Sequence, residues 1–152
     1  PEVAPQPDSD ALELVEKAAA SFASGETKAR ALETDEWSPW EWLHFLRSLP
    51  EDLGTEKMSE LDAAFSLTDS TNSEVLDQWL VMSATNAYAP ADAAMEKFLV
   101  RVGRRKFLTP VYRALAATPE GKVRAKEIYR KARPGYHAIS RGTLDDLLGV
   151  TD

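Results

Sequence analysis

Three consecutive cations, Arg104, Arg105 and Lys106, stand in the stretch VGRRKFLTPVY, between apolar residues and Pro110. A guanidinium is a planar fork that can grip a carboxylate with two parallel hydrogen bonds, and an ammonium adds a compact point charge. Gly103 is expected to end one helix and Pro110 to open the next, which leaves residues 104–109 as a short extended connection. In such a connection residues two apart point the same way, so Arg104 and Lys106 would converge on one anion. Arg105 would then point elsewhere, to solvent or to an acidic partner. A solvated basic surface remains the competing reading of the same run.

Other chemistry is thinly represented. The chain has no cysteine, which excludes disulfides, thiolate zinc sites and a Cys nucleophile. His44 and His137 are its two histidines, and neither belongs to an H-E-x-x-H helix. His44, in LHFLRS, reads as a packed or surface residue; His137, after Pro134-Gly135, reads as a helix cap. No G-x-S-x-G elbow and no glycine-rich phosphate loop occurs. The pairs Asp35-Glu36, Glu51-Asp52 and Asp145-Asp146 are assigned to helix starts or loops, where dipole and solubility explain them. Trp37, Trp40, Trp42 and Trp79 lie in acidic surroundings and are read as core, not as a base-stacking platform.

The elements that would position the cation run are helices. Asp10 is expected to cap a helix whose Leu12, Val15, Ala19 and Phe22 share a face, with Gly25 as its stop. Ser38, Pro39 and Glu41 carry a capping-box pattern before Trp42, Phe45, Leu46 and Leu49, and Pro50 ends that helix. Thr55 and Ser73 are assigned as caps of the next two, the first with Met58, Leu61 and Phe65 inward, the second with a wide apolar surface including Trp79 and Met82. Pro90 opens a helix running to Gly103, Pro110 a short one, and Pro119 one with Val123, Ile128 and Tyr129 as apolar anchors. A last segment runs from Tyr136 to about Leu148. The resulting fold class is all-α, about eight helices with short connections, either a bundle or a two-layer solenoid of armadillo or HEAT kind.

With 152 residues, 43% of them apolar and 28% charged, the chain has the balance of a globular protein. Residues 1–9, with three prolines, are assigned as a linker, and 10–152 as one all-helical domain. No apolar run approaches the ~18 residues of a membrane span, so a soluble protein is expected, cytoplasmic or periplasmic. Residues 1–100 carry 20 acidic and 6 basic side chains, a net −14; residues 101–152 carry 5 and 12, a net +7. A basic third on an acidic chain suits a local anion site or docking face, and the acidic remainder argues against nucleic acid.

From Asn72 onward the order NSEVLDQWL, VGRRKF, LTPVYRALAA and KEIYRKARPGYHA resembles the C-terminal domain of leukotriene A4 hydrolase and its relatives, the zinc aminopeptidases of the M1 class that include aminopeptidase B. The likeness is strongest over Thr71–Ala117 and weaker over Thr118–Leu148. It implies a right-handed, two-layer, armadillo-like superhelix packed on a separate catalytic domain that holds the zinc. It also implies that Arg104 and Lys106 hold the free carboxylate of short peptide substrates, and that this chain alone binds no zinc and cleaves nothing. Two features depart from the family pattern: Arg105 is an extra cation, and no proline follows His137, to which no function is carried. The alternative is a stand-alone helical-repeat interaction module.

Overall fold

The computed structural model describes residues 9–150, and the linker assigned to residues 1–9 lies outside them except for Ser9, which opens the first helix. Eight α-helices follow one another, with no strand among the described residues: α1 Ser9–Ser24, α2 Pro39–Ser48, α3 Thr55–Phe65, α4 Ser73–Thr85, α5 Asp92–Arg101, α6 Arg105–Ala116, α7 Pro119–Ala132 and α8 Ala138–Leu148. The contacts divide the chain into two compact units, residues 1–78 and 79–152, and the division falls within α4.

In the first unit α1 packs on α2. Val15, Ala19 and Phe22 are buried on one helical stripe, and Leu43, Phe45 and Leu46 face them from α2. Gly25, at φ 88°, stops α1 in a backbone conformation that L side chains rarely adopt. The capping box forms as its sequence requires: the Glu41 carboxylate accepts from the Ser38 N–H (2.7 Å) and from the Ser38 hydroxyl. Above it, Trp37 and Trp42 meet edge to face at 4.9 Å, and Trp42 reaches Phe65 of α3 at 4.9 Å. Trp40 departs from its core assignment: it lies on the far side of α2 and is half exposed. α3 is fastened by polar bonds, with Glu60 accepting from the Ala29 N–H at 2.6 Å and Lys57 donating to the Phe22 carbonyl at 3.2 Å.

Two caps shift by one residue. Gly54, not Thr55, is the N-cap of α3. Asn72, not Ser73, caps α4, its Oδ1 accepting from the N–H groups of Glu74 and Val75 at 3.0 Å each. Asn is as good a cap as Ser, and local pattern cannot rank two adjacent candidates. Asp10 likewise sits inside the first turn of α1.

In the second unit α7 lies against both α5 and α6, and α8 lies against α6. The core is Trp79, Leu80, Met95, Phe98, Leu99, Leu108, Val111, Tyr112, Ile128, Tyr129 and Leu144. Val123 is not among them: it is 60% exposed, because the stripe α7 turns inward runs through Ala125, Ile128, Tyr129 and Ala132. Two ion pairs tie α7 to α5, Arg124 to Asp92 at 2.7 Å and Lys131 to Glu96 at 2.7 Å. α7 also meets the end of α6 closely. A Cβ added at Gly121 would stand 2.1 Å from the Leu115 carbonyl oxygen, so only glycine fits there. Thr118 caps α7 by accepting from the Gly121 N–H at 3.1 Å.

Candidate functional site

The cation run lies at the start of α6. α5 closes when the Val102 N–H reaches the Phe98 carbonyl at 2.8 Å, and only Val102, Gly103 and Arg104 separate the two helices. Arg104 is the N-cap, with extended backbone at φ −75° and ψ 121°, and its carbonyl accepts from Phe107 and Leu108 at 3.0 and 3.1 Å. Arg105 and Lys106 therefore occupy the first turn, and Pro110 lies inside the helix instead of opening it. Pro110 withholds an N–H from the carbonyl four residues back. The helix nevertheless continues, because Phe107, Leu108, Val111, Tyr112 and Leu115 bury one face of it.

This overturns the extended connection expected over residues 104–109. Arg104 and Lys106 are not aligned by strand-like alternation. They are the N-cap and second residue of one helix, and all three cations are exposed. Lys106 Nζ lies 5.0 Å from the centroid of the Phe107 ring. No acidic residue occupies this first turn. Three cationic residues thus occupy the N-cap and first turn of a helix end that is itself positive and whose first N–H groups have no helical acceptor. Cations at such an end are unfavourable by themselves, and an anion placed there is favoured.

Behind the cations is a buried set of phenols that pattern reasoning missed. Tyr136 donates its hydroxyl to the Leu99 carbonyl in the last turn of α5. Tyr112 of α6 meets the same hydroxyl at 2.9 Å. Tyr129 of α7 donates to Asp145 Oδ1 at 2.5 Å, with the Arg141 carbonyl at 3.0 Å. Arg133 grips Asp145 with both prongs, Nε to Oδ1 at 2.9 Å and Nη2 to Oδ2 at 2.8 Å. The hydrogen bonds from Arg133 and then Tyr129 hold the Asp145 carboxyl down at about 2. Burial, seconded by the bond to Tyr136, raises the Tyr112 phenol, and burial with Asp145 alongside raises Tyr129. Burial pushes Tyr136 up to about 12. All three phenols keep their protons at neutral pH and remain available as donors.

Asp145 departs from the helix start or loop expected of it: it lies in the C-terminal half of α8 and joins it to Arg133. His137 does cap α8, its Nδ1 accepting from the Ile139 N–H at 3.2 Å. His44 is a surface residue bonded to Glu16 at 2.9 Å. Among the described residues no three His, Asp or Glu side chains gather as a metal site, and no helix is long and apolar enough to cross a membrane.

Residues 37–148 match the family model described as leukotriene A4 hydrolase, C-terminal. Among curated relatives, a leucine aminopeptidase 2 of Pyricularia oryzae is 25% identical over 151 residues, covering 97% of this chain and 24% of the relative. A leucine aminopeptidase 2 of Emericella nidulans is 33% identical over 100 residues, covering 64% of this chain and 16% of the relative. The chain thus spans a quarter or less of the length of these relatives. A solved structure of yeast LTA4 hydrolase in complex with bestatin shares the fold, with a TM-score of 0.78 over 97% of this chain and 28% of that one, at 17% identity.

Proposed function

Since the chain belongs to the family of leukotriene A4 hydrolase C-terminal domains, we propose that it is the helical C-terminal part of an M1-type aminopeptidase whose catalytic domain lies in other sequence of the same polypeptide. Residues 10–152 act there as one domain. It packs on the catalytic domain, and Arg104 and Lys106 hold the free carboxylate of a short peptide. The observation that carries this reading is the start of α6, where three exposed cations sit on a positive helix end with no acidic residue in the first turn.

The residues present do not fit a metal, since no ligand group is gathered among those described. Zinc chemistry would belong to the catalytic domain, and no step is assigned to it through this chain. What this chain contributes is placement. A carboxylate held at one end of a short substrate fixes the distance of its peptide bonds from that anchor, and orientation of this kind lowers a barrier without taking part in bond making. It also selects by length, because a longer chain carries its terminal carboxylate past the clamp.

The test compares a tripeptide free acid with its C-terminal amide, using the full-length polypeptide that carries this chain. Charge-assisted hydrogen bonds are worth about 1.5–3 kcal/mol, so Arg104→Ala should lower kcat/KM for the free acid roughly 10- to 100-fold and leave the amide nearly unchanged. If both substrates are cleaved alike before and after the substitution, the cations are docking or surface charge and the domain is an interaction module.

A further inference from the structure

We propose that Tyr136 is a positioning residue for the carboxylate clamp, acting through the Leu99 carbonyl; the inference rests on the function proposed above for Arg104 and Lys106. The last carbonyls of a helix have no donor within it. In α5 the Phe98 carbonyl takes the Val102 N–H, and the Leu99 carbonyl takes the Tyr136 phenol, 37 residues further along the chain. A carbonyl only accepts, so the single proton of Tyr136 is committed there. Tyr112, 2.9 Å away, must then be the donor to the Tyr136 oxygen. The direction is fixed: Tyr112 to Tyr136 to Leu99.

This relay ties the end of α5 to the body of α6. Leu99 and Tyr112 are fully buried and Tyr136 is 4% exposed, so water does not compete for these bonds. Between the two anchored helices lie only Val102, Gly103 and Arg104. Nothing stands within 4 Å of the place a Gly103 side chain would occupy. Along its length the connection has one long hydrogen bond, from the Ser140 hydroxyl to the Gly103 carbonyl at 3.5 Å, so its ends carry most of its restraint. Arg104 stays fastened to α6 through its carbonyl, but loosening the α5 end would let the connection that leads into it shift, and a misplacement of ~1 Å can cost up to about a hundredfold in rate.

In the full-length polypeptide, Tyr136→Phe should lower kcat/KM for the tripeptide free acid about tenfold and leave the amide unchanged. Hydrogen exchange at Gly103–Lys106 should quicken. Tyr129→Phe, which breaks a buried bond that does not touch Leu99, should leave the acid-to-amide ratio alone. An equal loss on both substrates in Tyr136→Phe, or the same ratio change in Tyr129→Phe, would overturn the proposal. Should Tyr136→Phe fail to fold, Tyr112→Phe decides: it keeps the bond to Leu99 and should cut the ratio roughly two- to threefold, whereas wild-type ratio and exchange would sink the idea. Arg104→Ala in the same assay separates the two claims. An unchanged ratio there removes the clamp itself, and exchange at Gly103–Lys106 then tests the tie alone.

Discussion

Gly121→Ala and Gly142→Ala make the same chemical change inside two helices of one unit, yet they should move stability in opposite directions. Gly142 lies exposed in α8, and nothing stands within 4 Å of its missing Cβ. Alanine there should stabilise by ~0.5–1 kcal/mol, the usual gain from removing glycine from a helix interior. At Gly121 the same gain of about 1 kcal/mol is opposed by contact. The new Cβ would lie 2.1 Å from the Leu115 oxygen and 2.8 Å from Thr118 Oγ1. The first of these is backbone at the end of α6 and cannot rotate away. Relief requires α7 to back off, which costs about 1–3 kcal/mol in overpacking strain. It also strains the Thr118 cap, worth about 1 kcal/mol. The balance is a net loss of about 1–3 kcal/mol. Urea denaturation read at unchanged slope gives both numbers. A Gly121→Ala midpoint at or above wild type would refute the claim that backbone contact limits the approach of α6 and α7.

Ser38→Ala should cost about 1 kcal/mol by removing one partner of the capping box, measured in the same way; no loss would mean that Pro39 and the aromatic cluster set the start of α2 without it. A pH profile should have two limbs of known origin. The Asp145 carboxyl is depressed in the folded state, so its contribution is complete above its ordinary value near 4 and drains as pH falls toward about 2. It amounts to at most about 2 kcal/mol, and Asp145→Asn should abolish this limb. Tyr136 is raised in the folded state, so its contribution holds below the ordinary phenol value near 10 and is lost as pH climbs toward about 12. Tyr136→Phe should make that limb shallower without removing it, because Tyr112 and Tyr129 are raised as well, and an alkaline transition indifferent to the substitution would assign it to those two alone.

How far the fold could be read from sequence depends on the range of the interaction concerned. The α2 capping box, the Gly25 stop and the His137 cap involve residues at most a few positions apart, and composition plus spacing exposes them. Pro110 misled because proline is most at home in a first turn. That it sits deeper in α6 reflects the burial of Phe107, Leu108 and Val111, a tertiary cause that overrides the local preference. Val123 has the same origin: an apolar residue on the solvent side of a helix whose inward stripe is set by its neighbours. At the site the cations are visible as a run, but the glycine before and the proline after them suggest an extended segment where a helix starts. The phenol relay was invisible, because its partners lie 24 and 37 residues apart and tyrosine carries no periodic signal.

The aromatic residues give each unit its own optical label. All four tyrosines, at 88, 112, 129 and 136, belong to residues 79–152, and three of the four tryptophans, at 37, 40 and 42, belong to residues 1–78. Tyrosinate absorbance therefore watches the second unit alone, while tryptophan emission is weighted toward the first. An alkaline titration followed at both signals resolves the opening of the relay from any change around Trp37 and Trp42, with no dye and no engineered reporter. Because burial raises the relay phenols, a tyrosinate step that moves to lower pH in a variant reports loosening of the second unit.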